Sequence, residues 1–170
     1  MRSIKILALG AAAAAAGVAA FSASPASAAY VPGTNADDVL YGTTYADTLE
    51  GFQGNDSLYG YAGHDLLLGG SGYDYLTGAD GRDVLRGGSE GDSLYGGAGP
   101  DRLFGNSGDD VLVPGFASDQ VKAGYGNDYI YVYADGNADL IQCGPGYDTV
   151  YYDSTDPGDE FYGCDYFYAV

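Results

Sequence analysis

From Gly33 onward an aliphatic residue returns every ninth position: Leu40, Leu49, Leu58, Leu67, Leu76, Leu85, Leu94, Leu103, Leu112, Val121 and Ile130. An aspartate stands two positions before each of them, and a glycine seven positions before most. A fixed short period is the mark of a repeat architecture. Eleven nine-residue units, GTNADDVLY to AGYGNDYIY, run without a gap from Gly33 to Tyr131. Val132-Tyr133 then slips the register by two, and two more units follow, Ala134–Gln142 and Cys143–Tyr151. Position six is aspartate in all thirteen: Asp38, Asp47, Asp56, Asp65, Asp74, Asp83, Asp92, Asp101, Asp110, Asp119, Asp128, Asp139 and Asp148. Position one is glycine in nine of the eleven contiguous units and position four in seven. Glycine at both places permits positive φ and close backbone approach, so each unit is expected to turn tightly with carbonyls pointing inward.

These units resemble the GGxGxDxUx nonapeptide of the RTX, or haemolysin-type, calcium-binding repeat family. The resemblance covers residues 33–151. It implies an all-β fold, a parallel β-roll in which each unit is half a turn of a right-handed coil. Six residues would make a Ca²⁺-binding turn and three a short strand. The position-six aspartates would be the metal ligands. The Cys143-Gly144-Pro145-Gly146 stretch, with a second cysteine near the end, is similar to secreted bacterial calcium-binding repeat proteins.

The residue chemistry agrees with that expectation. Ca²⁺ takes six to eight oxygens from carboxylates and carbonyls, more than one such turn supplies. An 18-residue coil stacks unit n on unit n+2, about 4.8 Å away. Asp56 then pairs with Asp74, Asp65 with Asp83 and Asp83 with Asp101, all between turns with glycine at positions one and four. Asp110/Asp128 departs only at Ala123. Tyr45 and Glu90 at position four, and Pro114 at position one, weaken their turns, although Gly91 stands ready beside Glu90. Two carboxylates 5 Å apart repel by roughly 0.8 kcal/mol even at the dielectric of water. The metal-free chain is therefore expected to be largely unfolded, with several Ca²⁺ ions replacing repulsion by coordination.

The ends read differently. Residues 1–28 have the layout of a secretory signal peptide: Arg2 and Lys5, an apolar run from Ile6 to Phe21, and Ala26-Ser27-Ala28 as a cleavage site. No later apolar stretch is long enough to span a membrane. Beyond residue 28 the charge is 4 − 24 = −20 over 142 residues. That excludes a phosphate-backbone binder, so no nucleic-acid partner is expected. In an exported protein, Cys143 and Cys164 are expected to form a disulfide. The repeat fades at Tyr152, and residues 152–170 carry Tyr162, Tyr166, Phe167 and Tyr168 among acids. A solenoid needs a cap, and these aromatics suit one. The alternative is an adhesion patch for carbohydrate or cell wall.

Catalysis is not expected. His64 is the sole histidine, at the variable fifth position, and reads as a solvated turn residue. Asp37-Asp38 and Asp109-Asp110 fall at positions five and six and read as extra turn charge. Asp135, Asn137 and Asp139 start like an EF-hand loop, but Leu140 replaces its glycine and Gly146 its glutamate. The expectation is a secreted, extracellular calcium-binding repeat protein with a structural or interaction role. The alternative is a calcium-stiffened adhesin.

Overall fold

The computed structural model describes Ser3–Ile4, residues 27–154, Asp156 and residues 158–170. Most of the expected signal peptide lies outside the described residues. Ser3–Ile4 forms a short strand, β1, beside Asp38 and Val39.

The repeats make two parallel sheets. One is built from β1, β3 (Asp38–Tyr41), β5 (Ser57–Gly63), β7 (Tyr75–Gly81), β9 (Ser93–Ala98), β11 (Val111–Phe116), β13 (Tyr129–Val132), β15 (Thr149–Tyr152) and β17 (Tyr166–Ala169). The other holds β2 (Tyr30–Thr34), β4 (Thr48–Gln53), β6 (Leu66–Ser71), β8 (Val84–Ser89), β10 (Arg102–Ser107), β12 (Gln120–Tyr125), β14 (Leu140–Gln142) and β16 (Glu160–Tyr162). Consecutive strands alternate between the sheets. The chain is thus a parallel β-solenoid of about eight turns, with no helix among the described residues.

Strand alternation explains the unit. Side chains at positions eight and one point inward, while those at seven and nine point outward, the period-two rule of strands. Leu40, Leu49, Leu58, Leu67 and their successors through Val150 are fully buried. Each such leucine contributes about 1.5–3 kcal/mol by leaving water. The core is one aliphatic row per sheet, and its stability is a sum over coils.

The strands are longer than the three residues expected. In the middle they run to six or seven, because pairing continues through positions one to three: Phe52 opposes Gly70 and Gln53 opposes Ser71. Stacked turns of the same shape keep their backbones in register, so the ladder need not stop where the aliphatic pattern does.

The Val132-Tyr133 slip is absorbed by lengthening the coil. Gln120 pairs with Leu140 and Tyr129 with Thr149, both 20 residues apart, and Val132 is buried opposite Tyr152. The coil also continues past Tyr152, where the repeat seemed to fade. β16 pairs with β14, and β17 with β15. Phe161 and Phe167 occupy the places of the aliphatics, partnering Ile141 and Val150. Tyr152, Phe161 and Phe167 meet edge to face at 5.5–6.1 Å and cover the core's end. Cys143 and Cys164 are disulfide-bonded, with Cα atoms 5.1 Å apart.

Candidate metal centre

The thirteen aspartates fall in two rows, one along each edge of the solenoid, and all are buried. Each backbone N–H at position six donates to the aspartate one coil further on, at Oδ1 in every case but Asp148, which bonds Oδ2 of Asp165. Asp56 N–H reaches Asp74 at 2.8 Å, Asp65 reaches Asp83 at 2.8 Å and Asp83 reaches Asp101 at 2.7 Å. Across the slip, Asp119 N–H bonds Asp139 at 2.8 Å and Asp128 N–H bonds Asp148 at 3.0 Å. The pairing between units n and n+2 therefore holds along both edges.

The second carboxylate oxygen is different. Oδ2 of Asp56, Asp65, Asp74, Asp83, Asp92, Asp101, Asp110, Asp119, Asp128 and Asp148 is buried without a hydrogen-bond partner. Buried polar groups are almost always paired, and a buried unpaired charge is costly. From Asp56 to Asp110 each orphan oxygen faces the position-one glycine of its own unit, whereas the units of Asp119, Asp128 and Asp148 carry Pro114, Ala123 and Cys143 there. A Cβ added at Gly60 would sit 2.5 Å from Asp65 Oδ2 and 2.9 Å from the Gly78 carbonyl oxygen. Gly51, Gly69, Gly78, Gly96 and Gly105 face the same two kinds of oxygen.

This corrects the role given to position one. Its glycines do not hold positive φ; they leave room for oxygens. Positive φ belongs to positions two and four, as at Gly70 (118°) and Gly72 (116°). Non-glycine residues accept it too: Phe52, Tyr61, Ala79 and Asn106 at position two, and Glu90 and Ala117 at position four. Glu90 itself turns, at φ 72°, so Gly91 is not the residue that rescues this turn. Its carboxylate accepts from Gly72 N–H at 2.9 Å and the Ser89 hydroxyl at 2.8 Å, which lower its pKa.

The first two turns are built otherwise. Thr34 donates its N–H and hydroxyl to Asp38 Oδ2 at 2.6 and 2.7 Å, and Thr43 does the same to Asp47 Oδ2 at 2.5 and 2.9 Å. Those oxygens already have partners. Position five also carries a ladder that the sequence did not reveal. His64 Nδ1 accepts from Arg82 N–H at 2.9 Å, Asn55 from Tyr73 N–H at 2.8 Å and Asp109 from Asn127 N–H at 2.7 Å. His64 is exposed but bonded, not merely solvated. Asp159 and Asp165 were also missed. They accept from the N–H groups of Asp139 at 2.9 Å and Asp148 at 3.1 Å. Asp159-Glu160-Phe161 and Asp165-Tyr166-Phe167 keep the spacing of the unit with phenylalanine in place of the aliphatic, which was the available signal.

Burial pushes these carboxyls upward, against the pull of the N–H bonds. Asp56 and Asp128 rise to about 6, and Asp65, Asp74, Asp101, Asp110 and Asp139 to about 7. Asp92 and Asp119 rise to about 8, through burial first and then the charge of neighbouring acids. A carboxyl in this position takes either a proton or a cation.

Oxygen chemistry selects the cation. The rows contain carboxylates and carbonyls, with no imidazole or thiolate, which favours a hard ion such as Ca²⁺ over zinc or copper. Among the described residues no cluster of three or more His, Cys, Asp or Glu side chains could hold a metal. Two carboxylates from stacked turns would therefore need carbonyls to complete the shell. The glycine-lined crowding of Oδ2 and carbonyl oxygens is the arrangement that fits.

Fold and donor set together define a β-roll with repeated acidic turns. The chain belongs to the RTX calcium-binding nonapeptide repeat family, whose model matches four times, at residues 32–67, 59–93, 86–121 and 115–150. Calcium binding and an extracellular setting are typical of that family. No curated protein is significantly similar to the chain.

Proposed function

We propose that this is a secreted protein whose repeats fold upon binding several Ca²⁺ ions and then serve a structural or interaction role, without catalysis. One observation carries the reading: ten buried Oδ2 atoms without partners, in two rows on stacked turns. Asp56 to Asp148 would supply the carboxylates, and the glycine-rich turns the carbonyls. Calcium neutralises charge that burial disfavours. The rows end in turns with their own donors, Thr34 and Thr43, so Asp38 and Asp47 are the weakest candidates among the thirteen. The signal-peptide layout supports export, and extracellular calcium modules bind with Kd of about 10⁻⁴–10⁻³ M. Circular dichroism in millimolar calcium and in EGTA at neutral pH tests the reading. A β spectrum that appears only with calcium is expected; an unchanged spectrum in EGTA overturns it.

The adhesin reading has one observation in its favour. The outer face of the sheet containing β3 to β17 has only uncharged residues at positions seven and nine. Tyr41, Tyr59, Tyr75 and Tyr95 form a ring ladder there at 5.2–5.9 Å. Retention of calcium-loaded protein on insoluble cell-wall polysaccharide, lost on replacing Tyr59 and Tyr95 by serine, would favour it over a purely structural role.

A further inference from the structure

We infer that the outer face of the other sheet, across β8, β10, β12, β14 and β16, is a binding groove for an acidic oligosaccharide. The inference goes beyond calcium-driven folding and needs only that the coil be folded. Position nine places Arg86, Phe104, Lys122, Gln142 and Tyr162 in one row, each opposite the next. With strands about 4.8 Å apart, the row spans about 19 Å, and the two cations sit about 10 Å from each other. An open groove of about 910 Å³ lies along it, with Tyr125 on its flank. A smaller hollow of about 310 Å³ adjoins it at Arg102. The guanidinium carbons of Arg86 and Arg102 lie 4.9 and 5.3 Å from the centre of the Phe104 ring.

Charge makes the row distinctive. The chain has 24 acidic and six basic residues, and beyond residue 28 only Arg82, Arg86, Arg102 and Lys122 are basic. Three of these four converge here. All three are exposed, and none forms an ion pair among the described residues. In so acidic a molecule, cations left unpaired and gathered on one face complement an anion from outside.

The surroundings identify what carries the charge. Tyr125 and Tyr162 offer rings against the C–H surface of a sugar, Phe104 seats the two guanidiniums, and Gln142 offers both a donor and an acceptor for hydroxyls. Three cations in a field of net charge −18 are too few for a nucleic acid. A second copy of this chain is a poor occupant, because its repeated aspartates are buried. A linear glycan with carboxylates on its rings suits the alternation of cation and aromatic.

Isothermal titration of calcium-loaded protein with a soluble hexauronide, beside its methyl-esterified form, tests the inference. The acid is expected to bind and the ester not, with affinity falling as salt rises. Arg86→Gln and Lys122→Gln are each expected to weaken binding about threefold to fivefold, while keeping the calcium-loaded β spectrum. Val113→Thr, on the opposite sheet, is expected to leave binding unchanged. Equal binding of the ester, no binding of the acid, or full binding by the double variant overturns the inference. A calcium bridge between uronate and protein would survive the double substitution and so counts against it. The titration uses folded protein, so a chain that proved folded in EGTA would refute calcium-driven folding without touching this result.

Discussion

An alanine at Gly60 would drive its Cβ into Asp65 Oδ2 and the Gly78 carbonyl oxygen, at 2.5 and 2.9 Å. Both oxygens are fixed by the coil, so the site must open to admit the methyl. Gly60→Ala is expected to cost about 1–3 kcal/mol, as overpacked sites do, and to raise the calcium midpoint for folding. Ala79 is the counterpart. It holds φ 78° without glycine's freedom, so Ala79→Gly is expected to leave stability unchanged or raise it by up to about 1 kcal/mol. Urea unfolding at saturating calcium separates the two; equal effects would refute the division of roles between positions one and two. The glycines were legible in the sequence, but their work was not. Composition marks a glycine without saying whether it serves φ or space, and the Asp65 oxygen that decides the matter comes into view only when the unit is folded. The same blindness hid the position-five ladder, since Asn55, His64 and Asp109 share acceptor atoms rather than a residue type.

Among elements, β14 to β17 are the least like the rest. The coils into β16 and β17 are 20 and 17 residues long rather than 18, and phenylalanines fill the core positions of these two strands, where β14 and β15 keep Ile141 and Val150. The Asp-x-aliphatic pattern foretold every strand from β3 to β15 but stopped at Tyr152, because Phe161 and Phe167 satisfy the inward position by size rather than by type. The disulfide was legible from two cysteines and the expectation of export; its place, between the buried start of one turn and the residue before Asp165, was not. It ties the last coil to the one before. Closing a chain segment of this length stabilises by about 3 kcal/mol in the entropy model. In a solenoid that effect is local. Cys143→Ser with Cys164→Ser is therefore expected to speed hydrogen exchange in β16 and β17 while β5 to β11 stay protected. Uniform loss of protection along the whole chain would show instead that the coil folds from this end.

At the scale of the molecule, two rows of buried carboxyls set the response to acid. Their folded pKa values, about 6 to 8 in Asp56, Asp65, Asp74, Asp92, Asp101, Asp110, Asp119, Asp128 and Asp139, stand above the ordinary aspartate value near 3.8. Burial raises them by penalising the charged form. In the metal-free protein the folded state then binds more protons than the unfolded one between about pH 4 and pH 8. Its stability is fully present below the unfolded pKa and is lost as pH rises through 6 to 8. Protons and calcium thus stabilise the same oxygens by the same neutralisation. The EGTA-treated chain is expected to gain β structure on acidification to about pH 5 and to lose it between pH 6 and 8. The calcium-loaded chain should pass through that window unchanged. Circular dichroism across the range decides it. A metal-free chain that stayed unstructured at pH 5, while remaining soluble, would mean that coordination supplies bonds which protonation cannot replace. The period and the acid count made the solenoid legible, but not this titration, because thirteen aspartates in a sequence do not say that their carboxylates are turned inward.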